Sequence, residues 1–152
     1  MEKKKGVVLY NVLFPFWMLC LFPVTWFIVL PGNLLIDSLV LLICMKKLQI
    51  EEKKQFYKKN IWKIFGFGLL ADAIGSGFMF LMVVLEFAYM GDEWYITIPA
   101  LLLSAALIFV FNYFVTFRKV EDKRIRFWIP MVFAIATAPY TFLVPSSWLY
   151  GF

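Results

Sequence analysis

Charge is confined to a few short stretches of this chain, and the residues between them are almost wholly apolar. Glu2-Lys3-Lys4-Lys5 lies at the start, Lys46–Lys63 carries seven lysines, and Arg118–Arg126 carries five basic residues. Glu86, Asp92 and Glu93 form a short acidic link. The apolar runs between these stretches approach or exceed the about 20 residues, rising about 1.5 Å each, that a helix needs to cross a bilayer. Water is a poor solvent for such a chain. Of its 152 residues, 63% are hydrophobic and 16% charged, and a fold this small leaves too much surface exposed to hide them. The pattern predicts an all-α integral membrane protein, with residues 1–152 forming a single membrane domain.

Five transmembrane helices are expected, over about 6–30, 33–48, 62–85, 94–117 and 127–149. The first run is longer than the apolar region of a signal peptide, and no small-x-small site follows it, so it is expected to stay as a span. Leu30-Pro31-Gly32-Asn33 reads as a turn, with Asn33 capping the next helix. The second run is short, which raises a re-entrant loop as its rival, and charge decides between them. If all five runs cross and the N-terminus is cytoplasmic, the N-terminal tail, Lys46–Lys63 and Arg118–Arg126 all face the cytoplasm. Together they hold all 15 Lys and Arg of the chain, as the retention of positive residues on the inner side requires. The C-terminus is then outside. Trp62 and Trp128 fall at the inner boundaries, and Trp26, Trp94 and Trp148 at or near the outer ones, where amphipathic rings are favoured. Ile50, Tyr57, Ile61 and Ile64 recur at helical spacing and suggest an amphipathic segment lying at the interface.

Asp72 is the most informative polar residue, near the expected bilayer midplane, where a charged acid costs about 2.5–3.5 kcal/mol or more. Its functional reading is a proton or cation relay; its structural reading is a protonated carboxyl bonding a neighbouring helix. Gly68, Ala71, Gly75 and Gly77 make its helix rich in small residues that permit close helix packing, and Ser76 lies beside them. Ser104 and Thr137 reach a similar depth and are the expected partners of Asp72. Asp37 is expected one turn into its helix, near the outer face and stabilised by the helix N-terminus. It would form an outer station with Asp72 as the inner one. Asn112, one turn from Thr116, is expected to make an interhelical hydrogen bond.

Several chemistries are disfavoured. The chain has no histidine, which removes His-ligated metals, Ser–His and Cys–His pairs and an imidazole base. Glu51-Glu52 resembles the paired glutamates of CAAX-type intramembrane proteases, but that family also needs histidines. Cys20 and Cys44 are expected about 10 Å apart in depth by helix rise, too far for a disulfide. No cofactor or metal is expected, and no enzymatic activity. The lysine-rich loop needs no nucleic acid; attraction to anionic lipid accounts for it. Two functions fit. One is a non-catalytic accessory or regulatory membrane subunit, packed through its small-residue faces against copies of itself or a larger complex. The other is a small oligomeric transporter or channel for protons or cations that uses Asp72 and Asp37. Abundant Phe, and Lys in excess of Arg, point to AT-rich coding, so the expected location is a bacterial inner membrane.

Overall fold

A computed structural model describes residues 23–85 and 94–140. These form four helices: α1 over Pro23–Lys47, α2 over Lys53–Val84, α3 over Trp94–Phe111 and α4 over Lys123–Ala136. The last turn of α3 widens into a π-helical turn, Asn112–Thr116. Three segments, Trp26–Lys47, Lys53–Met82 and Tyr95–Thr116, are long and apolar enough to cross a membrane. The outward surface supports the same reading. Phe27 is 81% exposed and Leu102 63%, a distribution suited to lipid and unfavourable in water. The chain is thus a helical bundle with the character of a membrane protein. Residues 6–22 of the first expected span, the acidic link and the end of the fifth span lie outside the described residues.

The turn expected at Leu30–Asn33 is not formed. α1 runs unbroken through Pro31 and Gly32. Pro31 lacks an N–H, so the helix forgoes one hydrogen bond there, but a full turn would expose several backbone groups to hydrocarbon. One lost bond is the smaller cost. Asn33 is therefore a half-buried residue inside a helix and caps nothing. The interfacial segment is also absorbed, because Lys53–Lys63 forms the first turns of α2. With 32 residues, α2 measures about 48 Å, against about 30 Å of hydrocarbon, so its basic end projects beyond the core.

The helices pack in a ring, α1 on α2, α2 on α3, α3 on α4 and α4 back on α1. Leu41 and Met45 of α1, Ile61 and Ile64 of α2, Ile108 of α3 and Phe133 of α4 are buried in one core cluster. The residues named from α1 and α3 lie in the C-terminal halves of those helices and those from α2 in its N-terminal half, so α2 runs antiparallel to both α1 and α3. A smaller cluster of Met79, Ile96 and Ala100 joins α2 to α3 at the opposite end. The buried face of α3 repeats every fourth residue: Ile96, Ala100, Ser104, Ile108, Asn112 and Thr116. At 3.6 residues per turn that stripe drifts by about 40° per step. The wider π-helical turn, where the Phe117 N–H donates to the Asn112 carbonyl at 2.9 Å, offsets the drift and keeps Thr116 and Phe117 buried. Phe117 then stacks on Phe56 of α2 with ring centroids 5.9 Å apart.

The two connections at the basic end of the bundle are closed by local hydrogen bonds. After α1 the Ile50 N–H donates to the Met45 carbonyl at 3.2 Å, and Gln49 takes a left-handed φ of 53°; this is the Schellman arrangement, usually completed by glycine. α4 starts at Asp122, whose carboxylate accepts from the Arg124 N–H at 2.8 Å. Two outcomes follow for thermal unfolding in detergent. Gln49→Gly is expected to stabilise by about 0.5–1 kcal/mol, since the left-handed region disfavours residues with a Cβ. Asp122→Ala is expected to destabilise by about 1 kcal/mol through loss of the cap.

Candidate functional site

Between the two apolar clusters lies a layer of polar groups contributed by α1, α2 and α3. Asp37 is 7% exposed and sits in the interior of α1, well away from either end. The expectation that it lies one turn inside a helix start does not hold, because α1 begins at Pro23. Its carboxyl faces α2 at Gly68: Oδ2 is 4.0 Å from the point a Gly68 Cβ would occupy. The missing side chain leaves room for that approach. One turn further along α2, about 6 Å by helix rise, comes Asp72. Its Oδ1 is enclosed and has no hydrogen-bond partner among the described residues. Asp72 thus follows Gly68, the residue that the Asp37 carboxyl approaches, by one turn of the same helix. The two acids therefore form a pair across the α1–α2 contact, where the sequence suggests separate stations at two depths.

Among the described residues no cation shares this layer. The basic residues nearest in sequence are Lys46, nine positions after Asp37, and Lys63, nine before Asp72. Each is about 14 Å away along its own helix, and α3 has no charged residue over Trp94–Phe117. Two acids thus come together in an apolar bundle, with no lysine or arginine beside them among the described residues.

Hydrogen bonds hold the helices around the pair. The Ser104 hydroxyl donates to the Ala71 carbonyl at 3.1 Å, tying α3 to α2 at the residue before Asp72. Ser104 is therefore a neighbour of Asp72, as its depth suggests, but it bonds backbone. Next to Asp37, the Ser38 hydroxyl donates to the Leu34 carbonyl at 2.7 Å and lies 2.7 Å from the Tyr57 hydroxyl. With the Ser38 proton committed to Leu34, Tyr57 is the donor to Ser38. Neither Ser38 nor the polar end of Tyr57 is signalled by the sequence pattern, in which Tyr57 reads as one more apolar position.

The other expected partners turn inward on their own helices. Thr137 donates to the Phe133 carbonyl at 2.8 Å and finishes α4. Asn112 donates to the Ile108 carbonyl at 2.9 Å and accepts from Thr116 at 3.0 Å, so its bonds are intrahelical and support the π-helical turn. Ser76 is half-buried one turn beyond Asp72. The small residues of α2 divide between two faces. Ala71 and Gly75 are buried in the bundle, and Gly68 backs onto Asp37. Gly77 is exposed, with nothing within 4 Å of its Cβ position among the described residues. Among the described residues no three Cys, Asp or Glu side chains converge as metal ligands.

No protein-family model, no characterised protein and no solved structure matches this chain.

Ser104→Ala and Tyr57→Phe each remove one interhelical hydrogen bond and are expected to destabilise by about 0.5–1.5 kcal/mol, the range of such bonds in membranes. Gly68→Ala meets only ordinary contact at 4.0 Å and should fold normally. Gly68→Ile carries branches that require the Asp37 carboxyl to move and is expected to cost 1–3 kcal/mol, as overpacking does. Unfolding of the four variants in one detergent checks all of these.

Proposed function

We propose that this chain is a small ion-handling membrane protein, a transporter or channel in which Asp37 and Asp72 together bind a proton or a small monovalent cation. The observation that carries this reading is the pairing of two carboxyls in an apolar bundle with no basic side chain beside them among the described residues. In such surroundings the pair needs a positive charge from elsewhere, since two adjacent carboxylates repel and hydrocarbon solvates neither. A proton or a small cation supplies it. Acidic residues facing a bundle interior commonly mark ion paths.

The remaining parts of the proposal concern arrangement. With α1, Pro23–Lys47, in place of residues 33–48 as the second of five spans, a cytoplasmic N-terminus and an outer C-terminus put all Lys and Arg on the inner side, in a bacterial inner membrane. A pathway through so small a bundle calls for self-association, and the exposed glycine at position 77 suits a close helix contact between copies. No chemical conversion is part of this reading.

The test is flux in liposomes reconstituted with the full chain, under a proton, sodium or potassium gradient. Wild type is expected to dissipate at least one gradient. Asp72→Asn and Asp37→Asn, each with unchanged unfolding behaviour, should fall to the level of protein-free vesicles. If wild type moves none of these ions, the pair is a structural element and the chain is better read as an accessory subunit packed against another protein.

A further inference from the structure

All twelve Lys and Arg among the described residues gather at the end of the bundle where α1 stops and α2 begins. Only four carboxylates, Glu51, Glu52, Glu121 and Asp122, share that end. The two basic segments form one surface, because Ile50 and Phe56 from the first and Val120 and Ile125 from the second pack on the same core cluster. Trp62 and Trp128, 66% and 54% exposed, flank it where the basic segments give way to apolar helix. Such rings favour the boundary between lipid and water. This surface therefore lies in the plane of the phospholipid headgroups.

Arg126 is distinct within it. Every other described Lys and Arg is exposed, whereas Arg126 is half-buried. Its guanidinium carbon lies 4.7 Å from the centroid of the Tyr113 ring, a cation–π contact. Its Nε is enclosed and has no hydrogen-bond partner among the described residues, so the donors it can offer an external group are those of its two terminal nitrogens. A planar guanidinium fixed by its face presents that outer edge to a phosphate, which the two terminal nitrogens can hold with two parallel hydrogen bonds.

We propose that the basic end of the bundle binds the phosphate headgroup of an anionic phospholipid, with Arg126, oriented by Tyr113, as the anchoring contact. The surrounding exposed lysines raise the local concentration of anionic lipid. The ring contact fixes which cation makes the directional bond. This surface is separate from the carboxyl pair, and its lipid binding does not depend on ion flux.

The experiment follows thermal unfolding of the full chain in a neutral detergent, with phosphatidylglycerol, phosphatidylcholine or inorganic phosphate added at equal concentration. Phosphatidylglycerol is expected to raise the midpoint by several degrees, because a ligand of the folded state stabilises it. Phosphatidylcholine and inorganic phosphate are expected to leave it unchanged. Arg126→Gln should lose most of the phosphatidylglycerol shift, while Lys54→Gln, which removes one exposed charge, should retain it. Arg126→Lys keeps the charge and loses the fork; it should also lose most of the shift, and it serves alone if Arg126→Gln does not fold. An equal shift with phosphatidylcholine, or with inorganic phosphate alone, would overturn the proposal. So would a full phosphatidylglycerol shift in Arg126→Lys.

Discussion

Backbone hydrogen bonding in hydrocarbon is the constraint on which the rest of this structure depends. In water a Pro-Gly pair starts a turn at little cost, because solvent satisfies the groups that the turn frees. Within a bilayer those groups have no partner, and each costs several kcal/mol. α1 accordingly keeps its helix through Pro31 and Gly32. That continuity carries Asp37 into the middle of a helix and against Gly68. Broken at residues 31–33, α1 would place Asp37 near a helix start, beside free amide groups. The carboxyl pair is thus a product of one uninterrupted helix.

The same constraint explains where the polar side chains point. Ser38, Asn112 and Thr137 each donate to a carbonyl four residues back in their own chain. Ser104 instead crosses to Ala71, and it can do so because it lies on the buried stripe of α3 opposite the small residues of α2. The two aspartates have no such local option, since an ionised carboxylate only accepts and the helical N–H groups around it are already engaged. Asp72 Oδ1 has no donor among the described residues, and this is the physical basis for reading the two acids as an ion-binding pair.

Much of the architecture is legible in the sequence, and the failures have definite causes. Spans are visible because hydropathy and charge segregate cleanly, and the gathering of basic residues at one end follows from their place in the chain. The depth of Ser104 beside Asp72 follows from counting residues along helices. Pro31 and Asn33 mislead because turn chemistry calibrated in water is applied to a segment in lipid. Asn112 and Thr137 mislead because position along a helix sets depth but not direction, and local carbonyls are available to any short polar side chain. The Asp37–Asp72 pairing is hidden because the sequence signals a helix start at Asn33 that the continuous α1 does not form. The ring contact between Arg126 and Tyr113 spans two helices and has no signature within either.

The length of α2 has a mechanical consequence. A stiff rod that outspans the hydrocarbon by roughly 18 Å is gripped at one end by the headgroup region and carries Gly68 and Asp72 further along its shaft. Because α2 is one continuous helix, a tilt of its lysine-bearing end would carry Gly68 and Asp72 with it relative to Asp37. A change in membrane thickness or surface charge that tilted the helix would then change the spacing of the two carboxyls, with α2 as a lever between the water boundary and the interior.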